Sequence, residues 1–432
     1  MAASDTNRAI NAVFRIEQAK LIAGLARLVR DIGLAEELAQ DAFVAALEGW
    51  PGSGIPERPG AWLMAAARNR AIDRLRRKAR IDRKHDEIGR EQAIDSLEAA
   101  VELDSALDDD IGDDLLRLIF TACHPVLTTE GRVALTLRLL GGLTTAEIAR
   151  AFLVPEATIA QRVVRAKRAL SHRRVPFEVP HGPERNDRLS SVLEVIYLVF
   201  NEGYTATAGD DWMRPQLCEE ALRLGRILAG LAPNESEVHG LASLMEIQSS
   251  RLKARTDHNG DPILLLDQDR GRWDHLLIRR GLAALARAET IAGQESRGLG
   301  SYALQAAIAA CHARAPTADA TDWQRIAALY EALARLVPSP VIELNRAVAV
   351  AMVSGPAAGL ALTDRLIDEP ALKDYHLLPS VRGDLLCRLR RHQEAAAEFR
   401  RAAALTRNRR EKALLKRRAR ESEGQEAGGS RQ

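Results

Sequence analysis

The segment 144–170 constrains the fold most, because two helical patterns lie there with only a tight turn between them. Thr144 and Glu147 have the spacing of a capping box, which begins a helix. Leu153 lies at the turn, and Pro155 suits the start of a second helix, where its missing N–H costs nothing. The second helix has an apolar face at helical spacing: Ile159, Val163, Ala166 and Leu170. The segment therefore predicts a helix-turn-helix, and a basic helical hairpin without a nucleic-acid partner is the alternative.

Composition extends the helical prediction to the whole chain. Only 4% of the 432 residues are aromatic, and Ala, Leu and Arg dominate, which favours helices over sheets. We therefore expect an all-α protein. The longest uncharged stretch, 347–363, is too short to span a membrane, and no apolar secretory signal follows Met1. The four cysteines lie far apart without zinc-ligand spacing, so we expect reduced thiols, a cytoplasmic location, and neither metal nor cofactor.

Charge alternates in blocks along the first 175 residues. Residues 62–84 carry nine Lys/Arg against two acids, residues 86–114 carry twelve acids against Arg90, and residues 130–174 carry nine Lys/Arg against three acids. Two basic helical modules joined by an acidic tether suit a two-point grip on nucleic acid, since phosphate neutralisation supplies much of the affinity. Helix faces that are merely exposed to solvent would show the same runs of charge. The choice between solvent exposure and nucleic-acid binding therefore depends on sequence motifs.

A second helical module precedes the acidic block. One apolar pattern comprises Ile16, Ala19, Ile22, Ala23, Ala26 and Val29, and the next comprises Leu34, Leu38, Ala42, Phe43, Ala46 and Leu47. A Gly/Pro-rich loop over Trp50–Gly60 then leads into a helix that is apolar near Trp62 and basic near Arg76.

These motifs resemble the bacterial sigma factors of the extracytoplasmic-function type. The segments 35–43 and 61–77 are similar to the second conserved region of that family, and the helix-turn-helix is similar to the fourth. The resemblance covers about residues 8–175 in the family's order. It implies a protein that binds core RNA polymerase and directs it to promoter DNA at the −10 and −35 elements.

The resemblance also implies roles for particular residues. The candidates for contact with core RNA polymerase are Glu37, Leu38, Gln40, Asp41 and Phe43, with core packing the alternative for Leu38 and Phe43. The candidates for reading the −10 element are Arg68, Asn69, Asp73, Arg74, Arg76 and Arg77. The acidic segment matches the family's linker along the RNA-exit path of the polymerase.

The second helix of the helix-turn-helix supplies candidates for the −35 element, since such a helix fits the major groove. They are Glu156, Thr158, Gln161, Arg162, Arg165 and Arg168. The chain departs from the family at Leu153, where relatives often have Gly, and at Ala160-Gln161, where they often have Lys-Ser.

About 250 further residues resemble a subgroup with a helical C-terminal extension ending in tetratricopeptide-like repeats. The segments 197–204 and 267–274 are similar to blocks of that extension, which the resemblance implies tunes sigma activity, with a regulatory protein or ligand as a possible partner. A pattern of small and aromatic residues at 327–333 recurs at 396–402, so helix pairs are expected, with a plain bundle as the alternative. The predicted divisions are 1–84, 85–112, 113–176, 184–290, 295–416 and a flexible tail, 417–432.

The segment 267–274 raises one enzymatic alternative, since Asp267, Asp269 and Asp274 could hold a divalent metal. Arg270 and Arg272 would instead pair with these carboxylates, and Trp273 would anchor the loop, so an ion-pair loop is expected and no catalytic residue is assigned. Two other function classes stay open: a stand-alone helix-turn-helix regulator with a repeat domain, and a repeat scaffold that does not bind DNA.

Overall fold

The computed structural model describes residues 2–85 and 111–429, which leaves most of the acidic linker prediction outside the described residues. The first part of the chain contains α1 (Ala2–Val29), α2 (Ile32–Ser53), α3 (Pro59–His85), α4 (Ile111–Ala122), α5 (Thr129–Leu139), α6 (Thr145–Phe152), α7 (Glu156–His172) and α8 (Pro183–Tyr204). It continues with α9 (Pro215–Leu231), α10 (Ser236–Ser249), α11 (His275–Gln294), α12 (Ser301–Arg314), α13 (Trp323–Leu336), α14 (Pro340–Ser354), α15 (Pro356–Asp364), α16 (Leu377–Arg388), α17 (His392–Leu405) and α18 (Arg409–Gly429).

The all-α prediction is confirmed. Within the described residues the only strands are β1 (Ala208–Gly209) and β2 (Arg407–Asn408), which pair in parallel. None of the helices in the described part of the chain is both long and apolar enough to cross a membrane. The chain divides into two compact units, residues 1–196 and 197–432, and the division falls within α8.

The first three helices of the first unit share an apolar core. Leu25, Leu38 and Leu63, one from each helix, are almost fully buried, and the rings of Phe14 and Phe43 meet edge to face. The predicted apolar faces are correct except at their edges, where Ile16 and Leu47 are exposed. The buried face of α1 instead passes through Gln18, and both misplaced residues lie on the solvent side of their helices.

The predicted Gly/Pro-rich loop is shorter than expected. Helix α2 continues through Pro51 to Ser53, because a proline near the end of a helix removes few backbone hydrogen bonds. Gly54, with φ +82°, then ends the helix, and its N–H donates to the carbonyl of Trp50 at 2.9 Å. Pro59 begins α3, so residues 54–58 form the connection.

Helices α4–α7 form the remainder of the first unit together with the beginning of α8. Arg188 of α8 donates to the carbonyl of Phe120 at 3.1 Å, and Ser191 donates to that of Cys123 at 2.6 Å. These bonds cap the end of α4, where carbonyls have no helical partner. The first compact unit therefore extends past the Pro-rich segment 176–183.

The second unit begins with closely packed helices. In α11, Gly281 lies against Ile247 of α10 so tightly that an added Cβ would come within 2.5 Å of the Ile247 side chain. Gly240 of α10 meets the backbone of Ala303 of α12 in the same way. Glycine at these positions lets the helix axes approach and bury Leu244, Leu285 and their neighbours.

Consecutive helix pairs follow from α13 to α18. The recurring pattern lies on α13 and α17, where Leu333 and Phe399 are buried. Helix α18 continues into the segment predicted as a flexible tail, through Gly429, and Ala419 and Ser422 of that segment are buried. The charged residues of this segment lie on its other faces, and its high charge does not indicate that one face is buried.

The two ends of the second unit meet at the short strand pair. Asn408 donates from its side-chain amide to the carbonyls of Ala206 and Asp211, at 3.1 and 2.8 Å. Its Oδ1 accepts from the backbone N–H groups of Arg410 and Glu411, and thereby caps α18. This fully satisfied, buried side chain joins segments that are 202 residues apart.

Candidate polymerase and nucleic-acid interfaces

Helix α3 separates an apolar face from a basic one. Leu63, Ala67 and Ala71 recur at four-residue spacing and are buried. The six candidates for the −10 element lie away from this face. Arg68 is half-buried, and the others are exposed: Asn69, Asp73, Arg74, Arg76 and Arg77. The face can therefore meet a polyanion without unfolding the helix.

The connection before α3 is held by two tryptophans. Trp50 is buried, and its ring lies 5.3 Å from that of Trp62 in an edge-to-face arrangement. Trp62 keeps about a third of its surface exposed beside the loop 54–58. An exposed aromatic ring next to an arginine-rich helix provides a surface on which an unstacked base can lie.

Helix α2 divides the polymerase candidates into two groups. Glu37 and Asp41 are exposed, and Gln40 is half-buried. Leu38 and Phe43 belong to the core, which agrees with their alternative interpretation and leaves them no free surface in this structure. Glu37 also lies 3.2 Å from Arg74 of α3, so the two candidate faces adjoin one another.

Two apolar side chains extend the exposed face of α2. Val44 is 52% exposed and Leu47 is 43% exposed, next to Asp41. Sequence reasoning placed Leu47 in the core and did not consider Val44. Helical spacing could have indicated the exposure of Val44, because Val44 does not lie on the face of α2 that carries the buried residues Ala42, Phe43 and Ala46.

The helix-turn-helix forms as predicted. The N–H of Glu147 donates to Thr144 Oγ1 at 3.1 Å, and the N–H of Thr144 donates to Glu147 Oε2 at 2.8 Å, which completes the capping box. Leu153 ends α6 in the left-handed conformation, with φ +51° and ψ +43°. The predicted inner face of α7 is entirely buried: Ile159, Val163, Ala166 and Leu170.

The outer face of α7 presents the −35 candidates. Thr158 and Arg162 are half-buried, and the rest are exposed: Glu156, Gln161, Arg165 and Arg168. Glu156 accepts a hydrogen bond from Thr145 Oγ1 of α6 at 2.9 Å. This bond fixes the angle between the two helices at the end of α7 that would enter a groove.

A buried carboxylate joins the two modules of the first unit. The side chain of Glu36 on α2 is 4% exposed; it accepts from Arg138 of α5 at 2.8 Å and forms an ion pair with Lys167 of α7. Gln40 donates to the same carboxylate at 3.0 Å. We call Glu36, Arg138 and Lys167 the carboxylate clamp. Sequence reasoning missed the clamp, although an acidic residue at a core-facing position of α2 was a visible signal.

The segment 267–274 does not form the expected ion-pair loop. Asp269 accepts from the N–H of Gly271, and Asp274 caps α11 by accepting from Leu276 and Leu277. Arg270 turns away and donates to the carbonyls of His312 and Ala315 and to Thr321 Oγ1. Backbone N–H groups thus donate to two of the carboxylates with which Arg270 was expected to pair, those of Asp269 and Asp274. Trp273 is buried and packs in a cluster with Ala254 and Ile278.

The metal alternative has no support in this segment. In the part of the chain that the structure describes, no three His, Cys, Asp or Glu side chains are grouped so that they could hold a metal ion. The described cysteines are unpaired, and burial raises the pKa of Cys123 to about 11 and that of Cys218 to about 12. Both thiols therefore stay protonated near neutral pH.

Comparison with known proteins assigns both modules. Residues 13–81 match the model of sigma-70 region 2, residues 117–170 match that of sigma-70 region 4, and residues 188–289 match a family of unknown function. The order of the two sigma regions along the chain defines a transcription initiation factor of the sigma-70 type.

Relatives narrow this class. The ECF RNA polymerase sigma factor SigK of Mycobacterium ulcerans is 32% identical over 150 residues, which cover 34% of this chain and 75% of that protein. SigK of Mycobacterium bovis (strain BCG / Pasteur 1173P2) is 30% identical over 148 residues, with coverages of 33% and 74%. The chain belongs to the extracytoplasmic-function sigma factors.

A third relative matches the C-terminal extension together with the sigma regions. An uncharacterized protein of Rhizobium meliloti (strain 1021) is 43% identical over 400 residues, which cover 91% of this chain and 90% of that protein. The similarity therefore includes the extension as well as the sigma regions. No solved structure matches the chain.

Proposed function

We propose that this sigma factor docks on core RNA polymerase in the cytoplasm through the exposed face of α2. The supporting observation is a continuous surface on which Glu37, Asp41, Val44 and Leu47 are exposed while Leu38 and Phe43 support it from the core. Apolar side chains framed by charges are typical of the centre and rim of a protein interface. Leu38 and Phe43 act by holding α2 in place.

The basic face of α3 is proposed to bind the −10 element, with the ring of Trp62 beside it for an unpaired base. The outer face of α7 is proposed to bind the −35 element, with Arg165 and Arg168 at phosphates and Gln161 nearest the base edges. The exposure of these side chains supports both assignments.

The extension is proposed to regulate the sigma regions and to carry no catalytic group. Its support is a separate compact unit that contains consecutive helix pairs, an architecture suited to binding a partner. The uncharacterized protein of Rhizobium meliloti is similar to this chain over 91% of the chain's residues. The extension and the sigma regions therefore occur together in that protein as well.

A pair of charge reversals tests the division of labour between α2 and α7. Asp41→Arg is expected to weaken binding to core RNA polymerase by about tenfold or more, since an interfacial charge is inverted. Arg165→Glu is expected to leave that affinity unchanged and to weaken binding of the holoenzyme to −35 DNA. Fluorescence anisotropy with labelled protein, then with labelled promoter DNA, measures the two steps.

The matched control is Asp187→Arg, which reverses an exposed acid outside both faces. Equal behaviour of Asp41→Arg and Arg165→Glu in the polymerase assay would contradict the assignment of regions. DNA binding by the free protein that is as tight as that by the holoenzyme would favour the stand-alone regulator.

A further inference from the structure

Three arginines lie around aromatic rings inside the extension. Arg251 and Arg255 follow α10, and Arg270 comes from the segment 267–274. The guanidinium carbons of Arg251 and Arg270 lie 5.8 and 4.8 Å from the ring centre of Trp273, and that of Arg255 lies 3.5 Å from the ring centre of Tyr204. Arg251 is also 5.9 Å from the ring centre of Tyr204, so it is near both the Tyr204 ring and the Trp273 ring.

The three cations have no counter-ion among the described residues. Arg255 donates to the carbonyl of Tyr204 and to Thr205 Oγ1, and Arg270 donates to two carbonyls and a hydroxyl. Arg251 donates to the side-chain oxygen of Gln248 and to no other group in the described ranges 2–85 and 111–429. The nearby acids Asp269 and Asp274 accept from backbone N–H groups instead. Arg251 and Arg255 are buried and Arg270 is half-buried, and holding these positive charges away from water is unfavourable unless an anion joins them.

Polar atoms without partners occur in the same cluster. Arg251 Nε, Trp273 Nε1 and His312 Nδ1 are buried and make no hydrogen bond to any residue that the structure describes. The three residues are 7%, 4% and 8% exposed, respectively. Burial and the charges of Arg251 and Arg270 lower the pKa of His312 to about 4, so its ring is neutral near pH 7 and can donate through one nitrogen. An anion bound here can accept hydrogen bonds from these buried donors.

We propose that Arg251, Arg270, Trp273 and His312 form a binding site for the phosphate group of a small molecule. A phosphate dianion offers several acceptor oxygens to guanidinium and ring N–H donors, and it balances more of the local charge than a carboxylate does. The group can belong to inorganic phosphate or to a phosphorylated metabolite. Of the two segments that resemble blocks of the sigma-factor extension, 267–274 supplies Arg270 and Trp273 to the site, and Tyr204 of 197–204 lies beside it, 5.9 Å from Arg251.

The proposed site lies wholly within residues 197–432 and does not depend on polymerase binding. Its test therefore needs only the full-length protein and a binding readout. Calorimetric titration and thermal unfolding are carried out with inorganic phosphate, AMP, glucose 6-phosphate and acetate at one ionic strength set with chloride. Phosphate or a phosphomonoester is expected to bind and to raise Tm, whereas acetate has no effect; the tightest of the phosphate compounds identifies the source of the group.

Arg251→Gln separates ligand binding from structural support. It removes a buried charge that has no counter-ion, so Tm without ligand is expected to stay the same or rise, while phosphate affinity falls about tenfold, as expected when a charge-assisted hydrogen bond is lost. Arg272→Gln is the matched control, because Arg272 is an exposed arginine in the same turn. It should leave both quantities unchanged.

Three results would overturn the proposal. The first is the absence of saturable binding of every phosphate compound to the full-length protein. The second is equal phosphate affinity in the two variants. The third is a fall in ligand-free Tm for Arg251→Gln with its phosphate response intact, which would show that Arg251 serves only to pack Trp273.

Discussion

At the scale of single residues, Leu153 shows how a helix-turn-helix forms without the glycine that its turn favours. Its φ of +51° and ψ of +43° lie in the left-handed region, where a Cβ crowds the following carbonyl. The residue's N–H donates toward Arg150 and that of Val154 bonds to Ala149, so the turn keeps its closing hydrogen bonds. The surrounding helices therefore hold a conformation that the side chain disfavours.

Replacement of Leu153 by glycine is expected to stabilise the helix-turn-helix. Glycine adopts the left-handed conformation without the Cβ clash, and its greater flexibility when unfolded offsets part of the gain, so we expect about 0.5 to 1 kcal/mol. Little packing is lost, because Leu153 is 54% exposed. Slower hydrogen exchange of the α6 and α7 amides would report the change. Leu153→Ala keeps the Cβ and is the control; stabilisation of equal size there would show that the backbone conformation is not the cause.

At the scale of elements, the carboxylate clamp decides how α5 and α7 pack on α2. Glu36 is almost fully buried, whereas Arg138 and Lys167 keep about a fifth of their side-chain surface. Removal of the acid leaves two partly buried cations facing an apolar helix interface, which is costlier than the loss of an exposed pair. The clamp also holds Gln40, one of the residues proposed to contact the polymerase.

Glu36→Gln is expected to loosen the contact between these helices. The substitution keeps the shape of the side chain but removes the charge that both cations share, and we expect a loss of about 2 kcal/mol in the free energy of unfolding of the first unit. Hydrogen exchange should quicken in α5 and α7 together. Glu48→Gln changes an exposed acid on the same helix and should have no effect. If the amides of α5 and α7 exchange at the same rate in Glu36→Gln and Glu48→Gln, the clamp does not hold the modules together.

The elements also show what local sequence can predict. The capping box and the buried face of α7 depend on residues a few positions apart, and the sequence predicts them correctly. Glu36 and Arg138 are 102 residues apart, and Arg270 meets the carbonyl of His312 across 42 residues. Such contacts depend on how the helices are packed, which no local pattern encodes. The same reason explains why the sequence does not indicate the buried face of α18.

At the scale of the whole molecule, the sigma regions and most of the extension fall into separate compact units. All residues proposed to bind polymerase and promoter DNA lie in the first unit. The first part of α8 belongs to that unit as well, since Arg188 and Ser191 cap the end of α4. The second unit therefore supplies none of the proposed contacts.

A chain that ends at Ile196 is expected to bind core RNA polymerase with an affinity within about tenfold of the full-length protein, because it keeps the exposed face of α2. A chain that ends at Pro180 lacks Arg188 and Ser191 and is expected to unfold at a lower temperature. Titration against polymerase and thermal unfolding of the three proteins test both statements. Loss of binding in the 1–196 chain alone would mean that the extension completes the docking surface.

The hydrogen bonds of Asn408 have a consequence for the order in which the protein is made. They join the start of the second unit to a residue that the ribosome adds 202 positions after Ala206. At bacterial elongation rates this interval is on the order of 10 to 40 s. Throughout that time residues 1–196 have already been synthesised, while the second unit still lacks its closing bond. Each newly made sigma domain thus passes through a period in which it is complete and its extension is not.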